Sequence, residues 1–413
     1  MIKNRYAILA LLTGLNFLNY IDRAVVSAVV DPMQKALDLS DLEVGTLNAA
    51  FIIGYFLTSP FFGARADKGA RTGLIALGVA IWSIATVASG MATGYWSLLA
   101  ARVTVGVGEA SYATLAPTII DDITPPDRKN RALAIFYLAI PLGYAMGYIL
   151  GGFIGKRWGW SMAFYTTGGP GIALALSCLA IAEPTRKLAA AKGKIIDGLR
   201  VIARIPLFRR GVLGYCAYTA AVSAFAFWAP KYLLETFPGE LDLETANRYF
   251  GLVLIIGGAV GTFIGGRWAD RALARLPAMP ANAPYDAPAN KAASNVLLRV
   301  CAIGMVIAAP LAVLAFLVPS AKAFFALAFF VEVGLFLSTS PINAMFLRSV
   351  PTERRASAMA GSIFAIHLFG DLWSASALGL LRQQLVTVVA MMALPLVFAL
   401  SAYWWWPRES EAR

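Results

Sequence analysis

The chain holds 413 residues and a formal net charge of +12, yet 59% of it is hydrophobic and only 14% is charged, with a mean hydropathy of +0.68. A soluble domain keeps roughly a quarter of its residues charged to wet its surface, so these figures exclude a soluble enzyme, a disordered chain and a fibrous repeat. The missing solvent is a bilayer.

Apolar stretches of about 20 residues match the helical crossing of a hydrocarbon layer, and the sequence predicts twelve. They run over 6–30, 44–64, 72–91, 95–120, 132–155, 160–182, 211–234, 249–269, 296–318, 323–346, 356–380 and 385–406. The first carries Asn16, Asn19, Tyr20, Asp22 and Arg23 and lacks a small-residue cleavage site, so it reads as a retained helix rather than a signal peptide. Between spans two and three the chain reads GARADKGAR, with Gly63, Asp67 and Arg71. Span four holds Arg102 and Glu109, the latter among the small residues Gly106, Gly108 and Ala110 that admit close helix approach. After it comes PTIIDDITPPDRKNRALA. Glycines then cluster in span five (Gly143, Gly147, Gly151, Gly152) and in span eight (Gly257, Gly258, Gly261, Gly265, Gly266).

The second half repeats these signals. GRWADRALAR, with Gly266, Asp270 and Arg271, follows span eight, and PINAMFLRSVPTERRASA follows span ten. The extra length of the second half falls in Leu276 to Ser294, a Pro- and Ala-rich stretch that reads as a flexible insertion. The chain therefore divides into a six-helix half over 1–182, a linker over 183–210 and a second six-helix half over 211–413. In the linker, Ile195, Leu199 and Ile202 recur at helical spacing opposite Lys194, Arg200 and Arg204, which predicts an amphipathic helix on a membrane surface.

Cytoplasmic loops retain cations. Of the 35 Lys and Arg, 26 fall at the N-terminus, at 65–71, 128–131, 186–210, 267–299 and 348–355, and at the C-terminus. Seven fall on the other side, and Arg23 and Arg102 lie deep within spans. Both termini are expected in the cytoplasm. The scattered cations form no basic stripe, so nucleic acid is not an expected partner. Cys178, Cys216 and Cys301 lie in apolar spans without CxxC spacing, which supports neither disulfides nor a metal site. Gly106-x-Gly108 sits mid-span with no Walker lysine, and no Ser/His/Asp set or phosphate loop points to catalysis, so no enzyme activity and no cofactor are expected. The absence of an Asn-x-Ser/Thr sequon favours a bacterial inner membrane.

Two six-span halves with these loops resemble the major facilitator superfamily, whose members open alternately to each side around a midplane site. NYIDR (Asn19 to Arg23), RVTVGVGEASYATLAPT, FYLAIPLGYAMGY and HLFGD (His367 to Asp371) resemble the Spinster family within it. The resemblance covers essentially the whole chain. It implies an all-α membrane transporter of amphiphilic lipids such as a lysophospholipid or sphingosine phosphate, acting as a monomer. A carrier of small organic anions is the alternative.

A charge near the bilayer centre costs about 2.5–3.5 kcal/mol, so the charged residues inside spans are the informative ones. Asp22 and Arg23 are adjacent, about 100° apart on a helix, and each needs partners on other helices. Arg23 is expected to hold an anionic head group while Asp22 and Glu109 exchange protons; Asn19, Tyr20 and Arg102 would complete the polar wall. In the second half Glu332 stands repeat-related to Glu109, and His367 and Asp371 lie one turn apart on one face. Glu332 and Asp371 are expected to line the cavity and His367, the sole histidine, to relay protons. Gly63, Asp67, Arg71, Asp270 and Arg271 are expected to lock the cytoplasmic side, their carboxylates reaching helix N-termini or the nearby arginines.

Overall fold

The computed structural model describes residues 2–66, 71–125, 128–184, 202–277, 284–351 and 354–408. Among these the first half forms α1 (Arg5–Ala28), α2 (Val30–Leu37), α3 (Asp41–Ala66), α4 (Arg71–Gly90), α5 (Tyr95–Ile123), α6 (Lys129–Trp158) and α7 (Trp160–Leu179). The second forms α8 (Pro206–Thr236), α9 (Leu243–Leu273), α10 (Pro288–Leu317), α11 (Ala321–Phe336), α12 (Thr339–Arg348) and α13 (Arg355–Ile366). A π-helical turn over His367–Asp371 follows, then α14 (Leu372–Gln384), α15 (Thr387–Met391) and α16 (Ala393–Trp405).

Among the described residues, ten helical segments are long and apolar enough to cross a bilayer. α1 and α5, of 24 and 29 residues, have the length of spans as well. Their in-span polar residues, Asn16, Asn19, Asp22 and Arg23 in one and Arg102 and Glu109 in the other, place them below that apolarity. Each of the twelve stretches read from the sequence is therefore helical.

Helix starts follow local chemistry. The Asn4 side chain accepts the Tyr6 N–H at 2.9 Å and opens α1. Ser40 and Glu43 form a reciprocal capping box at α3, with Ser40 N–H donating to Glu43 Oε2 at 2.8 Å and Glu43 N–H to Ser40 Oγ at 3.2 Å. That box sets α3 three residues ahead of its apolar stretch and puts Asp41 at its first position. The Leu276 to Ser294 insertion is shorter than its composition indicates: α10 begins at Pro288, whose fixed φ and missing N–H suit a first helical position. Span ten breaks at Leu337 and Ser338, and Pro341 falls harmlessly in the first turn of the next helix. The linker helix expected around Ile195 and Leu199 lies outside the described residues.

Two compact units emerge. The first comprises 1–189 with 226–252 and 379–383; the second comprises 190–225, 253–378 and 384–413. In the first, α1 packs on α6 and α7, α3 on α5, and α4 on α5 and α7. Glycine permits the closest crossings. A methyl group on Gly106 of α5 would overlap the Phe51 carbonyl of α3, and one on Gly147 of α6 would stand 2.6 Å from both the Ala24 Cβ and the Ile21 carbonyl of α1. In the second unit α10 packs on α11, α12 and α16.

Candidate transport site

From α1, packed on α6 and α7, the side chain of Arg23 reaches across to α3 and α5. Arg23 there donates from Nε to Glu109 Oε2 at 2.7 Å, and its Nη2 stands at the same distance from the same oxygen. Glu109 is fully buried and its Oε1 has no hydrogen-bond partner. The Arg23 guanidinium is enclosed by aromatic faces: Phe51 at 4.8 Å, Tyr20 at 4.9 Å and Tyr55 at 5.7 Å from ring centroids. Weakly hydrated guanidinium suits such a cage, through cation–π attraction.

Asp22 points elsewhere. It is 1% exposed, and neither carboxyl oxygen has a hydrogen-bond partner. Thr167 and Trp82 stand beside it. The Thr167 hydroxyl lies 3.1 Å from the Ala163 carbonyl, and Trp82 Nε1 is buried without an acceptor. Arg102, 4% exposed, lies over the Phe51 ring at 5.1 Å and makes no ion pair among the described residues; its Nε is buried and unpartnered. Asn19 is 3% exposed with an unpartnered Nδ2, and the Tyr20 ring leans on Tyr144 at 5.2 Å. Asp22, Arg23, Arg102 and Glu109 are the charged residues deep within spans one and four. Arg23 takes Glu109, which leaves Asp22 with neither cation in an ion pair.

In the second unit, Glu332 of α11 is 7% exposed, packed against Gly257 of α9, where an added methyl would stand 2.9 Å from its Cβ. It makes no hydrogen bond or ion pair among the described residues. His367 Nδ1 and Asp371 Oδ2 lie 2.8 Å apart, and Asp371 Oδ1 is buried without a partner. The two sit at the ends of the π-helical turn, whose extra residue widens the backbone where the pair forms. Among the described residues no three His, Cys, Asp or Glu side chains gather as a metal site requires.

The expected lock residues have different local surroundings. Asp67 lies outside the described residues. Gly63 on α3 faces Thr114 of α5 in ordinary contact. Arg71, 3% exposed at the start of α4, reaches Asp122 Oδ2 at 2.6 Å and Glu183 Oε1 at 3.0 Å. Glu183 also accepts the Thr72 backbone N–H and hydroxyl, each at 3.0 Å, so a carboxylate caps the helix start. Partial burial works against the charged form of Glu183, but these donors and Arg71 prevail and hold its carboxyl below the usual range. Asp270 and Arg271 are exposed at the end of α9 and make no ion pair among the described residues.

A second charged layer, at the opposite ends of these spans, was counted from the sequence only as loop cations. Asp41 there pairs with Lys231 and Arg382, and Lys156 and Arg157 pair with Asp242 and Glu244. The S-x-x-E box before α3 was the available signal for Asp41; nothing local in the sequence marks its partners.

A family profile described as Major Facilitator Superfamily matches residues 12–375. The chain is 29% identical to a probable sphingolipid transporter, spinster homolog 2 of Arabidopsis thaliana, over 94% of this chain and 84% of that one. It is 31% identical to protein spinster homolog 1 of Homo sapiens, over 92% of this chain and 73% of that one. The fold is similar to the crystal structure of a bacterial homolog of the human lysosomal transporter Spinster in an inward-facing, unoccupied conformation, with a TM-score of 0.84 at 23% identity, covering 98% and 97% of the two chains. It is also similar to a D-xylose-proton symporter, with a TM-score of 0.77 at 16% identity over 99% of each chain. The chain belongs to the Major Facilitator Superfamily, and within it to the Spinster-type transporters.

Proposed function

We propose that this Spinster-type transporter carries an amphiphilic lipid with an anionic head group, of the lysophospholipid or sphingosine-phosphate kind, by alternating access coupled to protons. The observation that carries the reading is the division of labour on one turn of α1. Arg23 is paired and caged by aromatic rings, while Asp22, its neighbour, is buried with both oxygens unpartnered. An isolated carboxylate away from water costs far more than a protonated one. Asp22 is thus the group that gains or loses a proton when water reaches it. Arg23 keeps its charge in every state and supplies the anchor for the lipid head once Glu109 releases it. Asn19, Tyr20 and Arg102 extend the polar wall in the first unit. Glu332 and Asp371 supply polar groups from the second, with His367 beside Asp371 as a proton relay. The names of the relatives, which include a probable sphingolipid transporter, support the lipid class.

The protein acts as a monomer in a bacterial inner membrane with both termini in the cytoplasm. Its six-helix halves, 1–182 and 211–413, work around the 183–210 linker. Gly63, Asp67, Arg71, Asp270 and Arg271 lock the cytoplasmic side. The test is uptake into proteoliposomes of lysophospholipids, sphingosine phosphate and hydrophilic anions, with and without a pH gradient. Lipid uptake that the gradient accelerates, and that Asp22→Asn uncouples while leaving monodisperse protein, is the expected result. Preferential uptake of hydrophilic anions would overturn the lipid assignment. Undiminished response to the gradient in Asp22→Asn would overturn the role of Asp22.

A further inference from the structure

The ends of the spans remote from the termini carry a charge network that the transport site does not use. Asp41, first residue of α3, is its hub. Its Oδ2 accepts from Arg382 Nε of α14 at 3.0 Å; its Oδ1 accepts from Lys231 Nζ of α8 and, at 2.7 Å, from Gln34 Nε2 of α2. The cations are deep: the side chains of Arg382 and Lys231 are 1% and 9% exposed. Both stand over the indole of fully buried Trp228, Arg382 at 4.8 Å and Lys231 at 5.6 Å from its centroid. Gly379 closes the contact, because a methyl group there would overlap the Asp41 carbonyl and stand 3.1 Å from the Trp228 ring.

The network holds a second carboxylate with a different attachment. Glu235 lies on α8 itself, one turn from Lys231 at 3.4 Å, and takes Arg382 Nη2 at 2.7 Å through its other oxygen. Lys231, Glu235 and Arg382 therefore form a triad on α8 and α14. Asp41 and Gln34 join it from α3 and α2. When these elements part, the triad keeps one acid for its two cations, whereas Asp41 loses both of its ion pairs. A buried cation stripped of every acid is costly, and a retained acid lowers that cost.

We propose that Asp41 is the bolt of an outer gate and Glu235 its reserve acid, so that the two carboxylates of one cluster act in opposite directions on opening. Asp41 stabilises only the closed gate. Glu235 stabilises the cations in both states and matters most when Asp41 has left. The proposal rests on alternating access as read above, and on neither the lipid nor the proton.

The experiment is a distance measurement by pulsed electron paramagnetic resonance in lipid nanodiscs. Spin labels go on Lys35→Cys and Glu240→Cys, both surface positions at this end, in a chain whose three native cysteines are buried. Without substrate, the unsubstituted background reports a short and a long population if access alternates; a single fixed distance under all conditions would overturn alternating access rather than the bolt. Asp41→Asn is expected to raise the long population at least fivefold, and Glu235→Gln to lower it or leave it undetectable. Gly379→Ala, which wedges the seam without removing charge, is expected to act like Asp41→Asn. Shifts of the two carboxylate variants in the same direction, or no shift in Asp41→Asn, would overturn the assignment.

Discussion

Arg23 aims two nitrogens at one oxygen of Glu109, each 2.7 Å from Oε2, and Glu109 Oε1 is left buried without a partner. A pair this deep contributes little by itself, because desolvation offsets the attraction, but removing one member leaves an isolated charge at a cost of about 3–5 kcal/mol. Arg23→Met and Glu109→Leu should each lower the apparent melting temperature in detergent well below that of the double variant. The double variant should approach the parent in stability and still fail to transport lipid. A double variant that retains uptake would remove Arg23 from the anchor role.

His367 and Asp371 close a π-helical turn at 2.8 Å. Glutamine at 367 can donate to the same carboxylate but cannot exchange a proton near neutrality. His367→Gln should therefore fold normally and flatten the dependence of uptake on pH between 5 and 8. A parental pH profile would end the relay.

Gly147 sets the crossing of α1 and α6, with Ala24 Cβ and the Ile21 carbonyl at 2.6 Å from where a side chain would begin. Forcing bulk into a packed crossing costs about 1–3 kcal/mol. Gly147→Val should lower the apparent melting temperature by several degrees, whereas valine at exposed Gly14 on α1, which has no atom within 4 Å of an added Cβ, should do little. Equal effects at the two positions would argue that helix propensity, not crossing distance, governs the loss.

The helices and the charges inside them were legible because each is a property of a short stretch of chain. An apolar run of bilayer length announces a span, and Arg23 or Glu109 within one announces a site. Partner choice was not legible, since Asp22 and Arg23 differ by 100° on α1 and only the packing of α5 decides which of them meets Glu109. The Asp41 network was hidden for a related reason: Lys231 and Arg382, 151 residues apart in number, converge through tertiary packing on a carboxylate whose local signal is only a helix cap. The π-helical turn at His367 and the break at Leu337 fall inside stretches that the apolar pattern marks as single spans. Local sequence there reads as continuous helix.

Glu183 caps α4 and pairs with Arg71, and its carboxyl is held below the usual range. A carboxylate at a helix start is worth about 0.3–1 kcal/mol. Because the folded value lies below the unfolded one, that stabilisation is complete above the ordinary glutamate range and fades as pH falls through it. Glu183→Gln should melt lower than the parent at pH 7, and the two curves should converge toward pH 3. Divergence on acidification would mean that the carboxyl is stabilised in its neutral form.

Asp242 offers a second titration outside the spans. The Lys156 ammonium donates to it at 2.8 Å, and that bond, with the Thr245 N–H, pulls its carboxyl down to about 2. The shift is a depression, so the contribution is full above the unfolded value near 3.8 and is lost progressively as pH falls from 4 toward 2. Both side chains are nearly half exposed, at 44% and 48%, which limits the pair to under about 1 kcal/mol and makes it sensitive to salt. Asp242→Asn should melt slightly below the parent from pH 7 to pH 5 at low ionic strength, with the gap narrowing below pH 4 and closing in 1 M salt at any pH. Arg157 and Glu244 at 2.9 Å and Lys156 and Glu244 at 3.8 Å remain in that variant, so the loss stays small. A gap that persists in high salt would show that Asp242 acts through its cap on Thr245 and not through Lys156.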